Sequence, residues 1–96
     1  MTTIIWSPQA IADLTSLRAY IAEDDPAAAQ RLAFHILHNV EVLLSYNPEM
    51  ERPGRVSGTR ELVISRTPFL VPYRLQGRTI HVLRVFHGAR RWPESF

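Results

Sequence analysis

The chain has 96 residues, 46% of them hydrophobic, with no cysteine and no apolar run approaching the roughly 20 residues of a membrane span. That excludes disulfide frameworks, thiolate metal sites and a spanning helix, and predicts one domain over residues 1–96, soluble and cytoplasmic, with a modest core. The net charge of +2 is unevenly spread: residues 1–50 hold two arginines against six carboxylates, a net of −4, and residues 51–96 hold nine arginines against three, a net of +6.

Thr2–Trp6, β-branched and aromatic before a break, predicts a first strand and does not read as a signal peptide. Ser7-Pro8 then opens a helix, serine as the cap and proline in the first turn. Ile11, Leu14, Leu17 and Ile21 follow at near-helical spacing, with Asp13 and Arg18 off that stripe. Asp25-Pro26 repeats the start signal. The second helix is expected to run to about Tyr46, with Ala29, Leu32, Ala33, Ile36, Val40 and Leu43 as its apolar face, and to end at Asn47-Pro48. Capping accounts for the acidic turn Glu23-Asp24-Asp25.

Residues 47–58 read as an irregular connection. Three strands follow, Thr59–Ser65, Phe69–Leu75 and Ile80–Phe86, the last two joined by a tight turn at Gln76-Gly77. The order β-α-α-β-β-β predicts an α+β domain, a helical hairpin packed on one face of a small, mainly antiparallel four-stranded sheet. Phe69, Val71 and Tyr73 lie on one parity, Leu70 and Pro72 on the other. Apolar residues on both faces predict that something else, a partner segment or a dimer mate, covers the second face.

All eleven cations are arginine, a side chain that binds carboxylate and phosphate bidentately. The basic half is suited to an acidic partner or a phosphate backbone, or is simply a solvated surface. The sharpest local signal is Arg84-Val85-Phe86-His87-Gly88-Ala89-Arg90-Arg91-Trp92-Pro93, where a strand delivers a histidine and a glycine turns the chain into two arginines. His87 is either a proton-transfer group or a structural histidine. With a two-residue turn, Leu75 faces Arg78, Tyr73 faces Ile80 and Val71 faces Val82. The same register puts Arg66 opposite His87, on the parity of Arg74 and His81. His35 and His38 have chelating spacing but no third ligand nearby, and Trp6 and Trp92 read as core or interface aromatics. There is no glycine-rich phosphate loop or nucleophile motif, and neither cofactor nor metal is expected.

The layout and motifs resemble the RelE/ParE-type toxins. Ser7-Pro8-Gln9-Ala10 with Asp13-Leu14 is similar to the SPxAxxDL opening of that family. Ile21-Ala22-Glu23-Asp24-Asp25-Pro26 resembles its inter-helix turn, and Tyr73-Arg74 with Arg84-Val85-Phe86-His87-Gly88-Ala89-Arg90 its YR…RVxHGAR ending. The resemblance implies a type II toxin neutralised by a cognate antitoxin, whose flexible segment wraps it. It implies one of two targets. The ParE-like branch, which the opening and ending favour, poisons DNA gyrase without being an enzyme; here Arg74, Arg84, Arg90, Arg91 and Trp92 would form the target- or antitoxin-binding surface. The RelE-like branch cuts messenger RNA on the ribosome; His87, Arg60 and Arg66 would then be catalytic, with Glu51 as a loosely aligned base. That branch's lysines and C-terminal catalytic tyrosine have no counterpart here.

Overall fold

The computed structural model describes residues 2–46, 52–89 and 91–96, apart from the side chains of Leu43 and Arg52. The expected elements form in the expected order: β1 (Thr3–Trp6), α1 (Pro8–Ala22), α2 (Pro26–Tyr46), β3 (Arg60–Val63), β4 (Phe69–Gln76) and β5 (Thr79–Val82). Two short strands join them, β2 (Arg52–Pro53) within the connection read as irregular, and β6 (Phe86–His87) at the end of the segment read as one strand. The helix end expected at Asn47-Pro48 lies outside the described residues, as does Glu51.

Both helix starts follow from capping. The Ser7 Oγ accepts the Ala10 N–H at 3.0 Å, and the Asp25 Oδ1 accepts the Ala28 N–H at 3.0 Å, with proline in the first turn of each helix. The sheet runs β1-β5-β4-β3-β2, with β6 paired to the start of β4; among the described residues only the β1–β5 pair is parallel. The core lies between helices and sheet. Ile36, Val40 and Leu44 of α2 and Ala10 of α1 meet Leu62, Ile64, Val71, Tyr73, Ile80 and Val82. Each large aliphatic side chain fully buried here contributes about 1.5–3 kcal/mol. The α1 stripe differs from expectation at one position: Ala10 is buried and Ile11 is 54% exposed.

The β4–β5 hairpin turns at Gly77-Arg78. Gln76 pairs with Thr79, Leu75 with Ile80, Arg74 with His81 and Tyr73 with Val82, two residues from the expected register. A shift of two preserves parity, so Arg74 and His81 do share a face. The expected strand Ile80–Phe86 is broken. Leu83 N–H still donates to the Pro72 carbonyl at 2.9 Å, but Pro72 has no N–H to return. The Leu83 carbonyl instead accepts the Ser7 hydroxyl at 2.8 Å. Two residues later, the Val85 N–H goes to Asp13 of α1. From Val82, opposite Tyr73, to Phe86, opposite Leu70, this segment has one residue more than β4. That bulge flips the parity of everything after it.

The second face of the sheet is divided. One half is buried by the chain itself: Leu70, Pro72, Glu61 and Phe86 lie there, and the Phe86 ring meets Trp92 edge-on at 5.1 Å and Phe96 at 6.0 Å. The expectation that this face awaits another molecule therefore fails for Leu70 and Pro72. It remains open where Ile5, His81 and Arg74 lie, Ile5 being 47% exposed. No helix of the described residues is long and apolar enough to cross a membrane.

Candidate functional site

His87 sits in β6 opposite Phe69, not opposite Arg66, because the hairpin register moves it by two residues and the bulge by one more. Its exposed ring stands edge-on to Phe69 at 5.6 Å, and its Nδ1 accepts the Ala89 N–H at 3.0 Å. In the neutral ring the proton therefore resides on Nε2. Arg66 occupies the turn between β3 and β4 and is exposed. This turn and the β6 exit are tied together, since the Gly88 N–H donates to the Pro68 carbonyl at 2.7 Å. Arg66 and His87 thus belong to the same end of the molecule without facing each other across a ladder. Arg60 belongs to the other end. It pairs with Tyr73, four residues along β4 from the partner of His87, and lines a cleft of about 360 Å³ with Pro53, Gly58, Thr59 and Leu75.

The arginines expected to form a binding surface differ in availability. Arg84 is engaged within the chain: its Nε and Nη2 donate to the two Asp13 carboxylate oxygens at 2.7 and 2.9 Å, and its guanidinium lies 4.5 Å over the Phe86 ring. The Asp13 hydrogen bond raises the Arg84 pKa further above the ordinary arginine value, against a smaller opposing effect of burial. Arg74 lies opposite His81 and reaches the Gly58 carbonyl at 3.5 Å, the limit of a hydrogen bond. Arg91 is exposed. Arg90 lies outside the described residues.

Trp92 anchors the C-terminal segment. The Arg55 guanidinium stacks over its ring at 4.3 Å, its edge meets Phe86, and its buried Nε1 has no hydrogen-bond partner among the described residues. Arg55 is itself fixed, donating from Nη1 to the Gly88 carbonyl at 3.1 Å and from its backbone N–H to the Glu61 carboxylate at 2.7 Å. Glu61 is 1% exposed.

Sequence reasoning missed the roles of Asp13, Arg55 and Glu61. Asp13 stands off the apolar stripe, which was its visible signal, but its partners are 71 and 72 residues away. His35 and His38 do not converge. The His35 Nε2–H donates to the Ser65 carbonyl at 3.0 Å, while its Nδ1 accepts from the Asn39 amide at 3.2 Å. His38 stacks on Phe34 at 6.0 Å.

The family model for the ParE toxin of the type II toxin–antitoxin system parDE matches residues 4–92. The chain is 41% identical over 91 residues to Y4kP of Sinorhizobium fredii, which carries a toxin name, covering 95% of this chain and 93% of that one. It is 36% identical over 90 residues to the toxin RelE2 of Caulobacter vibrioides, covering 94% and 99%. A chain of the chromosomal ParDE toxin–antitoxin system from P. aeruginosa superposes with a TM-score of 0.79 at 31% identity, over 91% of this chain and 96% of that one.

Proposed function

The chain belongs to the ParE toxin family of type II toxin–antitoxin systems, and from that premise we propose that it is a non-enzymatic inhibitor of DNA gyrase, held in check by a cognate antitoxin. The observation that carries this reading over RNA cleavage is the separation of His87 from Arg60. Their partners on β4, Phe69 and Tyr73, are four residues apart, roughly 13 Å at strand spacing. Cleavage through a 2′-hydroxyl needs acid, base and cation around one phosphate. A binding mechanism needs only a fixed anchor, and Trp92 is held on the sheet by Arg55 and Phe86 with Arg91 exposed beside it.

One observation favours the ribonuclease reading: His87 is exposed and lies at the same end of the molecule as Arg66, its strand exit tied to the Arg66 turn by the Gly88–Pro68 hydrogen bond. Two assays separate the readings. Purified chain added to a gyrase supercoiling reaction is expected to inhibit it and to leave translation in a cell extract unchanged. Inhibition of translation with intact supercoiling would reverse the conclusion.

A further inference from the structure

Three described residues have their backbone in the left-handed region: Gly58 at φ 77°, Gly77 at φ 61° and Arg66 at φ 66°. In that conformation a Cβ crowds the backbone carbonyl, so glycine is the stable choice. The chain uses glycine at two of the three positions and arginine at the third. Strain of this kind persists only where surrounding contacts impose the conformation, and it gathers at functional positions.

The contacts that impose it are visible. The Thr67 hydroxyl donates to the Ile64 carbonyl at 2.8 Å and accepts the Phe69 N–H at 3.1 Å. The Thr67 N–H also reaches the Ile64 carbonyl, at 3.2 Å. From α2, the buried Asn39 orients the His35 ring, and His35 holds the Ser65 carbonyl next to Arg66. A buried amide and a histidine are thus committed to fixing one turn. Among the described residues no ion pair or hydrogen bond engages the Arg66 side chain, whereas Arg84, Arg55 and Arg74 are engaged within the chain.

We infer that Arg66, held on this rigid turn, is a recognition site for a carboxylate of an acidic protein segment. Arginine binds carboxylate or phosphate equally well in geometry. The surroundings favour a protein: the Phe69 ring next to this turn is already met edge-on by His87, so a nucleobase would have to compete for it, whereas a carboxylate needs only the guanidinium. The inference deepens the toxin–antitoxin reading, on which it rests for the source of the segment, the antitoxin.

The test uses the free full chain, a glutamate-rich dodecapeptide and an oligouridylate of equal charge. Arg66→Gly is expected to raise the melting temperature, by relieving the strain, and to weaken peptide binding about tenfold, the factor carried by one charge-assisted hydrogen bond. Arg78→Gln, which removes the same charge from another exposed arginine, is expected to weaken it far less. Equal losses in the two variants, a lower melting temperature for Arg66→Gly, or a loss confined to the oligouridylate would each overturn the assignment. No antitoxin or gyrase enters the titration, so its failure is separable from failure of the functional reading.

Discussion

Asp13 and Arg84, 71 residues apart, form a two-toothed ion pair at 2.7 and 2.9 Å, and the Val85 N–H adds a third hydrogen bond to the same carboxylate at 3.0 Å. The Asp13 and Arg84 side chains are 15% and 25% exposed, so water competes weakly for either. The contact joins the first helix to the segment where β5 gives way to the bulge. Arg84, expected on the binding surface, is in this structure a bolt between two layers.

Replacing Asp13 with asparagine keeps the volume and removes the charge. Arg84 would then be left partly buried without its counter-ion. A loss of about 2 kcal/mol in stability is expected, equivalent to a fall of about 10 °C in melting temperature for a domain of this size. Thermal denaturation followed by circular dichroism reads this directly; a fall of only a degree or two would mean the pair is thermodynamically idle.

Trp92→Ala should release the C-terminal segment from Phe86 and Arg55 while leaving the main core between helices and sheet in place. The expected signature is faster tryptic cleavage after Arg91 with an unchanged far-ultraviolet spectrum, and loss of growth inhibition. Retained toxicity in a chain whose tail is cut rapidly would remove the tail from the inhibitory surface.

His87→Gln separates the two mechanisms by magnitude. For a gyrase inhibitor, toxicity is expected to change by no more than about threefold, since the ring is exposed and makes one edge contact to Phe69 and one local hydrogen bond with the Ala89 N–H. A general acid would be worth roughly a hundredfold or more. Loss of that size in a variant with wild-type melting behaviour would restore the ribonuclease reading.

The concentration of nine arginines in residues 51–96 should make capture of the antitoxin electrostatically steered. Its association rate is expected to drop by roughly tenfold between about 0.05 and 0.5 M salt, with a smaller change in dissociation. Stopped-flow measurements in which both rates ignore ionic strength would show that the charge asymmetry plays no part.

What the sequence makes legible here is what is decided locally. Ser7-Pro8 and Asp25-Pro26 mark the helix starts because cap and acceptor lie within one turn. The element order follows from periodicity for the same reason. The hairpin register does not, because Gly77 can occupy either central position of a two-residue turn, and the chain places it first. The break at residues 83–85 is set by Pro72, Ser7 and Asp13, which become its neighbours only after folding. The site divides the same way: His87, Arg66 and Trp92 stand out as residue types, but which are tethered and which are free depends on Asp13, Arg55 and Asn39, whose contacts are tertiary or whose roles emerge only from them.

The double duty of the Ser7 hydroxyl restricts what can replace it. For an isolated helix, aspartate and asparagine cap as well as serine. Here the same oxygen must also supply a proton to the carbonyl that Pro72 leaves unanswered, so an aspartate would set two acceptors against each other. The opening serine–proline pair is thus a joint specification, written partly by a proline 65 positions downstream; relieving Pro72 of its role would be the way to make a carboxylate tolerable at position 7.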